Sequence, residues 1–114
     1  MEANIQVIAE AFSRGEFPSA YDHFSEEIEW DIVGDKKLTG KKTVVDYCEK
    51  ILPMMAGSQL ISTNFICDTN KMAIEGYCDY TTEDGQAQKV NYCDIYTFSG
   101  AQITKVTSYL VDKC

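Results

Sequence analysis

Apolar residues follow two different periods along this chain, and the change between them divides it in two. In residues 1–13, Ile5, Ile8, Ala9 and Phe12 recur at i, i+3, i+4 and i+7, which predicts a helix with one apolar stripe. Gly15 is a natural stop just beyond it. Pro18, a residue favoured at the first helical position, predicts a second, shorter helix over 18–24. In residues 27–33, Ile28, Trp30 and Ile32 alternate with Glu29, Asp31 and Val33, the pattern of a strand, and polar residues 34–37 break it. A third helix over 41–52 gathers Val44, Val45, Cys48, Ile51 and Leu52 on one side, and Pro53 ends it. After Gly57 the period becomes two. Strands are predicted over 59–68, 72–82, 87–98 and 101–111, with an Asp84-Gly85 hairpin signal between the second and third. Turns this short make successive strands antiparallel neighbours. Helices followed by a meander define an α+β layout, and no repeat or linker interrupts 1–114 as a single domain.

The third of these strands carries the least ordinary residue. Val90, Tyr92, Asp94, Tyr96 and Phe98 share one face, so a carboxyl group stands in the middle of an aromatic row. Buried there, Asp94 must be paired, protonated or functional. It is either a pocket acid whose pKa is raised by its surroundings or a structural aspartate bonded to a tyrosine hydroxyl. The opposite face is apolar too, through Cys93 and Ile95, and the last strand adds Ile103, Val106, Tyr109, Leu110 and Val111. Helices can cover one face only, and a second copy of the chain is the simplest cover for the other.

Composition narrows the function classes. The 114 residues are 45% hydrophobic and 25% charged, as in an ordinary globular domain. No apolar run approaches the roughly 20 residues that span a bilayer, and the N-terminus lacks the regions of a signal peptide, so a cytoplasmic protein is expected. A net charge of −8 argues against nucleic acid or an anionic membrane as partner. Five cysteines, at 48, 67, 78, 93 and 114, show no CxxC spacing and read as free thiols without disulfides. One histidine and no Cys/His cluster give no metal site, and nothing calls for a cofactor. There is no phosphate loop, Ser–His–Asp set or HExxH motif.

Three stretches in order carry a family resemblance: Ile28-Glu-Trp-Asp31, Leu38-Thr-Gly40-Lys, and Asp94-Ile-Tyr-Thr-Phe98 followed by a glycine turn and Ile103. With the element order, the chain resembles the nuclear transport factor 2-like superfamily and, within it, the SnoaL-like branch. The resemblance implies a cone in which three N-terminal helices lie on the concave face of a curved antiparallel sheet. Independently of the resemblance, strand parity opposite to the Asp94 row and a face the helices cannot cover predict a homodimer through the convex face, using residues such as Cys78, Tyr80, Cys93, Ile95 and Tyr109. The nearest catalytic comparison is with the ketosteroid isomerases. Asp31, nine residues before Gly40, is placed like their general base, and Asp94, nine residues after Gly85, falls where they keep a protonated aspartate in the oxyanion hole. Their helix-one tyrosine would fall near Ile8, which forms no hydrogen bond.

Counting in twos back from Asp84-Gly85 puts Glu75, Tyr77 and Asp79 on one face, which by analogy with the isomerases is the concave one, across from Tyr92 and Asp94. The resulting cavity, with Trp30 as a wall, would be acidic and tyrosine-rich and would suit a small polar or cationic molecule. Strand parity leaves open whether Asp31 or Trp30 faces inward. The favoured function is a binding or assembly module without assigned chemistry. The alternative is a cofactor-independent proton-transfer enzyme (isomerase, cyclase or hydratase), with Asp31 as base and Asp94 and Tyr92 stabilising the developing oxyanion.

Overall fold

A computed structural model describes residues 3–112. Helix α1 (Ala3–Ser13) leads into a 3-10 helix (Phe17–His23), strands β1 (Phe24–Ile32) and β2 (Lys36–Thr39), helix α2 (Lys41–Ile51) and a short 3-10 turn (Pro53–Met55). The meander follows as β3 (Gln59–Asp68), β4 (Lys71–Thr81), β5 (Ala87–Ser99) and β6 (Gln102–Asp112). The six strands form one sheet in the order β2-β1-β6-β5-β4-β3. No described helix is long and apolar enough to cross a membrane. The helix expected from residue 1 and the thiol of Cys114 fall partly or wholly outside the described residues.

The periodicities produce the elements they predict, with instructive differences. The α1 stripe is buried at Ile5, Ala9 and Phe12, and Gly15 adopts φ +85° where the helix ends. That left-handed conformation suits glycine and turns the chain back on itself. The second helix is 3-10 rather than α. It buries only Phe17 and Ala20, three apart, which is the repeat of the tighter helix. β2 was hidden in what reads as a polar break. It is an edge strand held by pairing to β1, and with Lys36 and Lys37 exposed it has no apolar alternation to betray it. β1 buries Phe24, Ile28, Trp30 and Ile32. Trp30 is therefore the inward residue and Asp31 points to the other face.

The three meander pairs are antiparallel as expected. The sheet as a whole is mixed, because β1 lies parallel to β6. That pairing joins segments far apart in sequence, with β2, α2 and the meander between them, and no local pattern encodes it. The α+β cone with helices over one face stands.

The β4–β5 hairpin reverses one expectation. Thr81 opposes Ala87, Thr82 N–H donates to the Gln86 carbonyl at 2.9 Å and Gly85 N–H to the Thr82 carbonyl at 3.0 Å. The loop thus holds an odd number of residues, 82–86, instead of a two-residue turn at Asp84-Gly85. A slip of one residue exchanges the faces of a strand. Asp94 consequently opposes Ile74 and not Glu75, and Tyr92 opposes Gly76. Glu75, Tyr77 and Asp79 lie on the convex face, opposite Cys93, Asn91 and Lys89. Cys78 and Tyr80, expected on the convex face, share the concave face with Asp94. Cys78 and Cys93 thus point to opposite sides of the sheet, and the four described cysteines are free thiols.

Phe12 anchors the core on the concave side. Its ring lies 4.9 Å from Phe17, 5.0 Å from Trp30, 5.9 Å from Phe24 and 6.1 Å from Tyr96, mostly edge to face. Val44 and Cys48 of α2 and Met72, Ile74, Ile103 and Val106 of the sheet complete it. On the convex side Ile66, Tyr109 and Val111 stay exposed at 68%, 44% and 57%. Gly76 is required by close packing: a Cβ there would stand 2.1 Å from the Ile61 carbonyl oxygen and 2.7 Å from the Tyr92 hydroxyl. Gly76→Ala is expected to lower stability by about 1–3 kcal/mol, the usual range for overpacking, and to displace the Tyr92 ring. Urea denaturation checks it, and an unchanged midpoint would mean that β3 and β4 separate freely.

Candidate functional site

Between the concave face and the helices lies a cavity of about 310 Å³. Its walls are aromatic and aliphatic. The end of α1 and the following turn supply Phe12 and Phe17, β1 supplies Trp30 and Ile32, and α2 supplies Tyr47 and Ile51. From the sheet come Leu60, Cys78, Tyr80, Val90, Tyr92 and Leu110. Polar side chains concentrate in one place, where Ser13, Asp94 and Ser108 meet. These three are the buried polar residues among those described, at 3%, 7% and 4% exposure.

Four elements build that cluster. Asp94 comes from β5, on the row with Tyr92 and Tyr96 that the alternation predicts. Ser108 sits directly opposite on β6, and its hydroxyl donates to Asp94 Oδ1 at 2.6 Å. Trp30 Nε1–H, from β1, donates to Ser108 Oγ at 2.9 Å. Ser13, the last residue of α1, has its Oγ 2.8 Å from Asp94 Oδ2 and 2.6 Å from the Tyr96 hydroxyl. The Tyr96 hydroxyl in turn donates to the Ala9 carbonyl at 3.0 Å.

Among the described residues no cation pairs with Asp94. Burial pushes its carboxyl up to about 6, although the Ser108 and Ser13 bonds pull the other way. Burial likewise drives the Tyr96 hydroxyl well above its ordinary range. Tyr92 is raised by burial and held back by its contact with Ser62, 3.1 Å away. The thiols are raised as well, Cys48 to about 12 and Cys78 upward, both by burial, so neither is poised as a nucleophile.

Of the residues expected at the site, the structure brings Trp30, Tyr92 and Asp94 together. Asp31 is turned away, opposite Lys37 of β2 and Thr107 of β6. Glu75 accepts a bond from Asn64 Nδ2 at 2.6 Å on the convex side. Tyr77 lies beneath the Lys89 ammonium, 4.3 Å from its ring centre, and Asp79 is on that face too. The acidic cavity expected from sequence is therefore absent. Its described lining carries two carboxylates, Asp94 and Asp35. Among the described residues no group of three or more His, Cys, Asp or Glu side chains could hold a metal ion. Ser13 and Ser108 were missed, but both leave a trace: Ser13 continues the Ile5–Ala9 stripe at i+4, and Ser108 is in step with Val106.

A cone of helices over a curved six-stranded sheet, enclosing an apolar cavity with one buried acid, defines the nuclear transport factor 2-like architecture. The model of the SnoaL-like domain matches residues 5–106, and the chain belongs to that family. It is 42% identical to an NTF2-like protein of unknown function from Cytophaga hutchinsonii, with 97% of this chain and 99% of that one covered and a TM-score of 0.94. An NTF2-like protein of unknown function from Burkholderia pseudomallei is 17% identical, with 95% and 90% covered and a TM-score of 0.75. A Jannaschia protein provisionally described as a SnoaL-like polyketide cyclase is 7% identical, with 96% and 86% covered and a TM-score of 0.78. Likenesses this distant carry the fold alone. No curated protein matches the chain.

The raised carboxyl fixes the sign of a pH effect. Its folded pKa of about 6 exceeds the ordinary 3.8, so the folded state holds the proton more tightly than the unfolded chain. The stability this group contributes is full below the unfolded value and is lost as pH rises through the folded one, a change on the order of 2–3 kcal/mol. Asp94→Asn keeps the shape without the charge. It should remove this slope and be as stable as the wild type, or more so, near neutral pH. Denaturation midpoints across that window test it; a variant clearly weaker at neutral pH would mean that the carboxylate is structurally paired.

Proposed function

We propose that this protein is a small-molecule-binding module without assigned chemistry, whose cavity takes a compact, largely apolar molecule carrying one polar group. The observation behind this reading is the contrast within the cavity: aromatic and aliphatic walls around one buried polar spot at Asp94, with exposed Asp35 the other carboxylate of the lining. Such a site takes its affinity from the walls and its orientation from the polar group. A small polar or cationic ligand loses most of its support, because Glu75 and Asp79, two of the acids that suggested it, lie on the other face of the sheet. A net charge of −8 supports a function without nucleic acid or anionic membrane, and the reading places the protein in the cytoplasm.

The module works as a homodimer joined through the convex face. Cys93, Ile95 and Tyr109 keep their place in that interface, and Ile66 and Val111 join them. A carboxyl with a pKa near neutrality also favours a second reading, a cofactor-independent isomerase, cyclase or hydratase in which Asp94 carries the proton. Asp31 has no part in it.

Trp30 is the one tryptophan of the chain and lines the cavity, so its fluorescence reports occupancy. Naphthol should quench it saturably, and Cys78→Leu, which fills the cavity, should weaken binding at least about tenfold. Absence of saturable quenching counts against the pocket. For assembly, light scattering at tens of micromolar, roughly where a standard-size interface holds, should give a dimer mass for the wild type and a monomer for Tyr109→Lys. A monomeric wild type defeats the dimer.

A further inference from the structure

The cluster beneath the cavity contains five close polar contacts, and each needs one hydrogen. Trp30 Nε1 meets Ser108 Oγ, Ser108 Oγ meets Asp94 Oδ1, Asp94 Oδ2 meets Ser13 Oγ, Ser13 Oγ meets the Tyr96 hydroxyl, and that hydroxyl meets the Ala9 carbonyl. The indole, the two serines and the tyrosine supply one hydrogen each, four in all. With Asp94 ionised, Ser13 must donate to the carboxylate, and the single Tyr96 hydrogen is left to serve two contacts. Either the Ser13 and Tyr96 oxygens, 2.6 Å apart, or the Tyr96 and Ala9 oxygens, 3.0 Å apart, would then face each other with no hydrogen between them. A fifth hydrogen on Asp94 removes the conflict. The chain then runs in one direction, from Asp94 to Ser13 to Tyr96 to the Ala9 carbonyl, and every contact is satisfied.

We infer that under mildly acidic conditions the folded protein holds Asp94 as the neutral acid, its hydrogen on Oδ2 directed at Ser13, so that this spot then offers a ligand only lone pairs and selects a molecule with a hydroxyl or N–H donor. The claim rests on the proposed binding function and adds the class of ligand. Every hydrogen of the cluster is committed inward. What remains for the ligand is the second lone pair of Asp94 Oδ1 and one lone pair on each serine oxygen. An oxyanion hole is the reverse, since it must direct hydrogens at the ligand. Ser13 and Tyr96 are positioning residues: they act on the ligand through Asp94.

The surroundings agree with a neutral acid. Around Asp94, α1 presents Ser13, while Arg14 is turned out to Glu10 and Glu16; β1 presents Trp30, β4 the apolar Ile74, β5 Tyr92 and Tyr96, and β6 Ser108. α2 presents Tyr47 to the cavity, and the other carboxylate that lines it is Asp35. None of these is a cation facing Asp94.

Tyr96→Phe provides the test. It deletes the last two bonds of the neutral chain and frees Ser13 to donate to a carboxylate, so the Asp94 pKa, followed by carbon-13 NMR of the carboxyl, should fall. A rise would mean that Tyr96 had been donating toward the carboxylate, and would overturn the inference. If Tyr96→Phe does not fold, neutron diffraction from deuterated wild-type crystals grown below the Asp94 pKa decides. Deuterium on Asp94 Oδ2 and between Tyr96 and Ala9 is expected; a bare carboxylate is the contrary result. For the ligand class, naphthol should quench Trp30 roughly five- to tenfold more tightly than its methyl ether, the value of one hydrogen bond. Equal affinities would overturn donor selection while leaving the pocket intact. If neither compound binds, the binding function fails and the ligand class with it, and the hydrogen placement is decided by the titration.

Discussion

The buried carboxyl of Asp94 is the constraint on which the rest of the concave side depends. An acid at 7% exposure is costly unless its oxygens find partners, and here the partners come from different ends of the chain. Ser108 arrives from the neighbouring strand, and Ser13 from a helix 81 residues away in sequence. To place Ser13, α1 must end over β5. That position drives Phe12 into the aromatic cluster, and the left-handed Gly15 returns the chain so that Phe17 packs on both Phe12 and Trp30. Trp30, held by its bond to Ser108, then forms a wall of the cavity. One polar requirement thus orders a largely apolar region.

The chemistry available there is correspondingly narrow. Among the described residues no cation pairs with Asp94 and no cluster could hold a metal ion, and burial moves Asp94, Tyr96, Cys48 and Cys78 all toward their neutral forms. A polar spot pushed toward its neutral form in an apolar cavity orients a ligand more readily than it strains one. The family keeps this frame down to 7% identity, as the Jannaschia protein illustrates, so the frame by itself does not choose a function. The side chains that fill it do.

The two faces of the sheet divide the labour. The concave face has helices above it and encloses the cavity. The convex face has none among the described residues, and carries exposed Ile66, Tyr109 and Val111 together with the charged Asp79, Lys89, Glu29, Asp31 and Lys37. The Lys89–Tyr77 and Asn64–Glu75 contacts tie down polar groups on that surface. Residues that looked like a pocket from sequence are thus part of the outer face.

By itself the sequence determined the order of helices before the meander, the four meander strands to within a residue or two, and the buried row through Asp94, because each follows from a local period of hydrophobicity. It also supplied the family, through short stretches in a fixed order. Tertiary structure decided which way β4 faces: the loop at 82–86 closes with an odd number of residues where the Asp84-Gly85 signal implies an even one, and a single residue of register exchanges Glu75 for Ile74 opposite Asp94. It decided that Trp30 and not Asp31 points inward, since alternation gives two faces without saying which is covered. β2 and the parallel β1–β6 pairing arose only from contact with partners distant in sequence. So did the hydrogen bonds of Asp94, because the partner of a buried polar group is fixed by where the chain returns, and no local period records that.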